Sequence, residues 1–487
     1  MTETSTFDWK LDSTYSSLPA SFYKPIKPSS VSEPSLVIWN ERLANDLGIS
    51  SYFKDPTSII QFFSGNWIPE QITPIAQAYA GHQFGNFTML GDGRAILLGE
   101  HVNSKGDRFD IQLKGSGRTP FSRGGDGRAT LSSMLREYLI SEAMFALNIP
   151  TTRSLAVLNT GEIVRRADEN PGGILTRVAK SHVRVGTFEY TYHFLDLPEL
   201  EQLTLYTIRR HFPHIEGSTN PYLDLLEAVM EGQIDLILHW LRVGFIHGVM
   251  NTDNTSIACE TIDYGPCAFM NSYDPNTVFS SIDVNGRYSY GNQPAIIHWN
   301  LSCFANTLLP LIDKDQNVAI DKAKSTLDRF PEIFHTKYWE MLGNKIGFLS
   351  VDPSDKPLIQ DLLNWMKENA ADYTNTFLQI ELESESAPSL YNDPQFLKWK
   401  ENWKTLIQKK GYKEEDVKTR MRSTNPFVIP RNFKVESALQ TACVGDMTEF
   451  HSLLKKLNDP YLRESQIPFY DEADPNVEES YQTFCGT

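Results

Sequence analysis

One stretch narrows the possible folds of this chain more than any other: Phe245 to Gly265, FIHGVMNTDNTSIACETIDYG. It holds a His-Gly-x-x-x-x-x-Asn string that ends at Asn254 and an Asp-Tyr-Gly string that opens at Asp263, nine residues later. A carboxamide and a carboxylate are hard oxygen donors of the kind that hold Mg2+. The spacing suits a loop, a short strand pair with a turn between, and a second loop.

Kinase-like enzymes use a catalytic-loop Asn and an Asp of the Asp-Phe-Gly type to hold the Mg2+ ions that bridge nucleotide phosphates. Small-molecule kinases carry His-Gly-Asp at the front of the first string, with that Asp as the base; here the third position is Val249. The metal ligands are present and the usual base is missing. Such a site also needs a glycine turn over the phosphates, a strand lysine and a helix glutamate that holds the lysine. Candidates occur in that order: Gly91-Asp92-Gly93-Arg94, Lys114 at the end of FDIQLK, and Glu137 on the next helix, away from its apolar stripe. Each has an ordinary alternative: a hairpin turn, a solvated strand-end lysine, a glutamate on the wet side of its helix. Only the ordered set is specific.

The organisation around them predicts an α+β chain with a protein-kinase-like, two-lobed fold. The bounds are an N-terminal extension (1–70), a β-rich N-lobe (71–180), a helical C-lobe (181–440) and a C-terminal helix and tail (441–487). Residues 130–149 read as a helix with Leu131, Met134, Leu135, Tyr138 and Leu139 on one face, ended by Pro150. Strands are expected at 154–160, 162–167 and 174–179, with turns at Gly161 and at Asn170-Pro171-Gly172-Gly173. Residues 221–245 form a helix leading into the two strings, and beyond 295 the pattern is mostly helical. From about 465 an acidic stretch reads as a tail draped on the surface.

Further phosphate contacts are expected from the glycine-rich loop at 115–129. Asp126-Gly127 immediately precedes a helix whose N-terminus could receive an anion; the alternative is a mobile loop. Arg177 and Arg184 can grip phosphate oxygens bidentately and, with Arg94, would give phosphates a second place to sit; surface salt bridges are the alternative. His82 in GHQFG is expected to be a hydrogen-bonded structural histidine.

With a net charge of −16, the chain repels a phosphate backbone, so nucleic acid is not an expected partner. No stretch approaches 18 consecutive apolar residues, and MTETSTFDWKLDST lacks the build of a signal peptide, so no membrane span and a cytoplasmic location are expected. Five cysteines, none in a CxxC, argue against a zinc site or a disulfide framework.

Long ordered segments carry a family resemblance: GHQFGNFTMLGDGRA, QLKGSGRTPFSRGGDGRATL, REYLISEA, NIPTTRSLAV, HGVMNTDNTSI, IDYGP, NPFVIPRN and the ending FCGT. From about residue 8 onward the chain resembles the selenoprotein O family of pseudokinase-fold proteins. The resemblance implies transfer of AMP from ATP to hydroxyls of proteins, itself included, with ATP flipped relative to kinases. It implies that Gly91, Gly93, Arg94, Asp126 and Gly127 contact nucleotide, and that Arg177 and Arg184 hold the terminal phosphates with Lys114 beside them. It also implies that Glu137 supports Lys114, that Asp263 contacts nucleotide and with Asn254 holds Mg2+ or Mn2+, and that Asp253 is the base. UTP is a less selective alternative donor, since flipping removes the usual adenine clamp. This chain has no selenocysteine; Cys485 stands near the place where some members carry it. A redox latch between Cys485 and Cys267 is one expectation, and two unrelated free thiols the other. A phosphotransferase and a silent nucleotide-binding scaffold are the competing functions.

Overall fold

The computed structural model describes residues 9–166, 168–382, 388–463 and 481–483. It is a mixed α+β protein, β-rich in its N-terminal part and helical in its C-terminal part. The strands are β1 (Tyr23–Pro25), β2 (Ser35–Trp39), β3 (Ile75–Gln77), β4 (Ala80–Gln83), β5 (Asn86–Met89), β6 (Ala95–Val102), β7 (Arg108–Lys114), β8 (Ala129–Thr130), β9 (Arg153–Arg165) and β10 (Glu169–Ala179). One antiparallel sheet runs β1-β3-β6-β7-β10-β9-β2, with β8 joined to β10, while β4 and β5 form a separate hairpin.

The sheet is covered on both faces, so β6 is buried from Ala95 to His101 instead of alternating. Helices α1 (Glu41–Leu47) and α2 (Pro56–Phe63) cover one face, where Trp9, Phe53, Phe62 and Phe63 pack with Leu98, Ile111, Leu113 and Leu158. Asn40 and Asp55 cap these helices by accepting from Leu43 N and Ser58 N. The first seventy residues thus supply two strands and about half of one of the two cores. Helix α3 (Leu131–Ala146) covers the other face through Met134, Leu135 and Leu139.

Three local expectations are corrected. Gly161 is not a turn between two strands: β9 runs unbroken from Arg153 to Arg165 through it, and the glycine takes up the φ of 73° at its irregularity. Residues 170–173 are not a turn: they lie inside β10, paired to 159–164 of β9, with a bulge between Pro171 and Gly173. A bulge is where a strand tolerates proline, and the absence of a Cβ at Gly173 lets the Leu131 backbone approach, since an ideal Cβ there would lie 2.8 Å from Leu131 Cα. The short strand pair does not lie between the two strings. It flanks them, β11 (Phe245–Ile246) pairing with β12 (Ala268–Phe269).

The helical part begins with α4 (Val185–Phe194), α5 (Leu197–His211) and α6 (Pro221–Val243). Asn220 caps α6, Pro221 occupies its first position, and Gly244 ends it at φ 76° before β11. Among the described residues, Tyr290–Ile312, which contains α7 (Gln293–Ile312), is the one helix long and apolar enough to cross a membrane. It packs on α4 and α6, and its Asn300 donates to Met250 O (3.0 Å) and Thr255 Oγ1 (2.8 Å), as a core helix does.

Candidate active site

The end of β7 presents Lys114 to two carboxylates. Its Nζ lies 2.6 Å from Glu137 Oε2 on α3 and 2.9 Å from Asp263 Oδ1 in the loop before β12. Arg177 of β10 joins the same pair, donating through Nε (2.8 Å) and Nη2 (2.5 Å) to Glu137 Oε1 and through Nη2 (2.7 Å) to Asp263 Oδ1. Arg184, just before α4, reaches Asp263 Oδ2 at 3.1 Å and stacks over the Tyr79 ring at 4.5 Å. Glu137 is 2% exposed; α3 buries residues around most of its circumference, so Glu137 turns inward to the cations.

Three cations therefore converge on Asp263. Burial alone would raise its carboxyl, but Arg177, Lys114 and Arg184 outweigh that and hold it well below the usual range. The residue adopts φ 64°, a left-handed conformation unusual outside glycine. Its side chain keeps 23% of its surface open to the cleft.

That cleft, of about 330 Å³, collects the expected residues: Gly91, Gly93 and Arg94 from one turn, Asp126 and Gly127 from the glycine-rich loop, then Lys114, Arg177, Arg184, Asp253, Asn254 and Asp263. Seven cationic side chains line it against four carboxylates, a local inversion of the chain's acidic balance.

The glycine-rich loop is folded, closed by Gly117 N to Gly127 O (3.0 Å) and Arg118 Nε to Gly125 O (2.9 Å). Thr119 and Ser122 hydroxyls donate to the Asp92 and Gly93 carbonyls, tying the loop to the 91–94 turn. Gly91 (φ 99°) has no alternative here, because an ideal Cβ would lie 2.5 Å from Phe121 Cγ. Helix α3 starts only at Leu131 and is capped by Thr130, so its N-terminal amides are not those next to Asp126-Gly127. Asp126 instead forms a two-pronged pair with Arg166, at 2.9 Å on each prong. Arg166 and the buried Asp92, whose carboxyl burial pushes up to about 6, were not singled out by the sequence reading. Asp92 had a signal, its place inside the glycine turn; Arg166 had none.

Asp253 and Asn254 occupy a 3-10 turn, Thr252–Asn254. Asn254 Nδ2 donates to Val249 O at 2.9 Å, which leaves Oδ1 as its ligand atom. Asp253 Oδ1 has no hydrogen-bond partner. Burial pushes its carboxyl up to about 6 although Arg184 opposes the shift. His247 ties the two strings together through Nε2 and Ile262 O, 2.9 Å apart. His82 is hydrogen-bonded, its Nδ1 2.5 Å from Glu189 Oε1.

A buried carboxylate with one oxygen unpartnered carries a stability cost. The folded pKa of Asp253 lies above the unfolded 3.8, so the ionised form is penalised above about pH 6 and the penalty vanishes below pH 4. The shift corresponds to about 3 kcal/mol at pH 8. Asp253→Asn is expected to melt at a higher temperature than the wild type at pH 8 and at the same temperature at pH 4. Equal melting at pH 8 would refute this.

A cationic cleft with two carboxylates and a carboxamide at its floor is the equipment of an enzyme that works on phosphorylated ligands. Comparison with known proteins narrows the class: the family described as "Protein adenylyltransferase SelO" matches residues 6–458, and the chain belongs to that family. It is 52% identical over 480 residues to "Protein nucleotidyltransferase YdiU" of Brevibacillus brevis, covering 98% of each chain. The proteins of the same name from Pelagibacter ubique (52% over 482 residues, 99% of this chain and 100% of the relative) and Geobacillus kaustophilus (50% over 480 residues, 98% and 99%) are similarly close.

Proposed function

We propose that this chain, as a kinase-like two-lobed protein, transfers AMP from ATP to Ser, Thr or Tyr hydroxyls of proteins, itself included, with release of pyrophosphate. The observation that most supports it is the convergence of Lys114, Arg177 and Arg184 on Asp263 at the cleft floor. A triphosphate offers these cations more oxygens than one carboxylate does. Two of them lie deep, near the start of α4 and on β10, which favours terminal phosphates buried there and the α-phosphate nearer the mouth.

Asn254 Oδ1 and the Asp263 carboxylate are hard oxygen donors that fit Mg2+ or Mn2+. Such an ion, when bound, supplies charge neutralisation at phosphate oxygens. Asp253 then accepts the acceptor hydroxyl's proton. The hydroxyl oxygen forms its bond to the α-phosphorus as the bond to the pyrophosphate oxygen breaks. Val249, apolar and 8% exposed, cannot serve as base at the position kinases use.

The redox latch belongs to the same proposal. Cys485 lies outside the described residues, but Thr483, two positions earlier, donates its hydroxyl to Pro266 O at 2.8 Å, beside Cys267. Cys267 is fully buried and burial pushes its thiol up to about 11, so pairing requires that loop to open.

The test uses purified protein, Mg2+ and ATP labelled at the α- or the γ-phosphate, with α-labelled UTP in parallel, in reduced and oxidised protein. Label on protein from α-ATP alone is expected, weaker label from UTP, and weaker labelling after oxidation. Label from γ-ATP alone would make the chain a kinase and overturn the proposal. Bound nucleotide without transfer in reduced protein would make it a scaffold.

A further inference from the structure

Behind the turn that carries Asp253 lies a set of buried polar side chains that line no part of the cleft. Thr252 is wholly buried. Its hydroxyl donates to Glu189 Oε2 at 2.5 Å and accepts from the backbone N–H of His82 at 2.7 Å. The other oxygen of Glu189 holds His82 Nδ1 at 2.5 Å. Glu189 is 2% exposed and comes from α4; His82 comes from β4. One threonine hydroxyl thus clamps three pieces of chain that meet behind the acceptor carboxylate.

The clamp works at close range. At Gly81 an ideal Cβ would lie 2.7 Å from Asp253 Oδ1, and at Gly186 it would lie 2.1 Å from Ala80 O and 3.2 Å from Asp253 Cα. Strand β4 therefore runs squeezed between α4 and the Asp253 turn, with no side chain at Gly81 or Gly186 to fill the contact. Hydrogen bonds must hold it. Arg184 Nη1 donates to Asp253 O (2.9 Å) and Val185 N to Thr255 O (2.9 Å), which fix the far side of the turn. Thr252 fixes the near side.

We propose that Thr252 and Glu189 are positioning residues for Asp253: their hydrogen bond sets where the carboxylate stands relative to the acceptor hydroxyl, without touching nucleotide. Loss of the threonine hydroxyl leaves a buried Glu189 oxygen and the His82 N–H unpaired. The turn then relaxes, and a displacement of about 1 Å at a base can cost about a hundredfold in rate. Nucleotide affinity is spared, because Lys114, Arg177 and Asp263 are held by one another and by Glu137, through bonds that do not involve Thr252 or Glu189.

The inference rests on Asp253 being the base, so the experiment separates the two. AMP transfer, ATP KM and Tm are measured for Thr252→Val, Thr252→Ser, Glu189→Gln and Asp253→Asn in the full chain. Thr252→Val is expected to lose tenfold or more in kcat with KM for ATP within about twofold, and Thr252→Ser to recover to within about threefold of wild type. A Thr252→Val protein with wild-type kcat, or a Thr252→Ser protein as impaired as the valine variant, overturns the positioning role. If Thr252→Val does not fold, Glu189→Gln carries the test: a fall in kcat at constant KM supports the role and an unchanged kcat overturns it. If Asp253→Asn still transfers AMP, the base assignment itself fails, whatever the Thr252 variants do.

Discussion

Replacing Asp263 by Ala is expected to abolish transfer and, in the same protein, to tighten metal-free binding of inorganic triphosphate. The two effects come from one geometry. Asp263 accepts from Lys114, Arg177 and Arg184 at 2.7–3.1 Å, so in the absence of ligand it fills the anion position of its own cationic cup. Removing it leaves Glu137 as the near carboxylate among these cations, and a polyanion then meets less competition. With the ligand for the metal gone, the reaction loses its charge neutralisation, and a fall of about 10³ or more in kcat is expected. Triphosphate should also raise the Tm of Asp263→Ala more than that of the wild type, by mass action. Substantial residual transfer, or triphosphate binding no tighter than in the wild type, would refute the account.

Replacing Glu137 by Ala is expected to be the most destabilising change at the site. Glu137 serves Lys114 and Arg177, whose side chains are 8% and 1% exposed, so its loss leaves two desolvated cations sharing the single carboxylate of Asp263 with Arg184. Breaking such a buried pair costs about 3–5 kcal/mol. The Tm should fall by several degrees, and Glu137→Gln, which keeps one acceptor oxygen, should fall less. By contrast Arg165→Ala breaks an open pair with Glu169, 82% and 65% exposed, and should leave Tm unchanged. A Glu137→Ala protein as stable as Arg165→Ala would show that the cations find other partners.

The parts of the site legible in the sequence are those fixed by covalent spacing. Asn254 and Asp263 are separated by one short segment, Lys114 ends a recognisable strand, and the glycine turn precedes it. What the chain does across space was not legible. The helix carrying Glu137 shows one apolar stripe in sequence, yet it is enclosed on several sides, and the direction of Glu137 follows from that enclosure. The pairing of Arg166 with Asp126 joins residues forty positions apart with no shared pattern. Asn170-Pro171-Gly172-Gly173 has turn composition, but β9 and α3 impose a bulged strand on it. Thr252, between an asparagine and an aspartate, carries no signal of its own in the sequence; only the approach of β4 and α4 gives its hydroxyl two partners.

The placement of β2 has a consequence for how the molecule assembles itself. Residues 35–39 lie at one edge of the sheet, paired with Asn159 to Ala156 of β9, about 120 positions downstream. The aromatic cluster of Trp9, Phe53, Phe62 and Phe63 packs on strands that follow it in the chain. During synthesis the first seventy residues emerge with their apolar groups, which can bury only part of their surface on β6 and β7, and β2 must wait for β9 before it can pair. Closing so long a loop slows folding and prolongs the exposure of sticky surface. Destabilising β9 should therefore reduce the yield of refolded protein more than it reduces the stability of protein already folded.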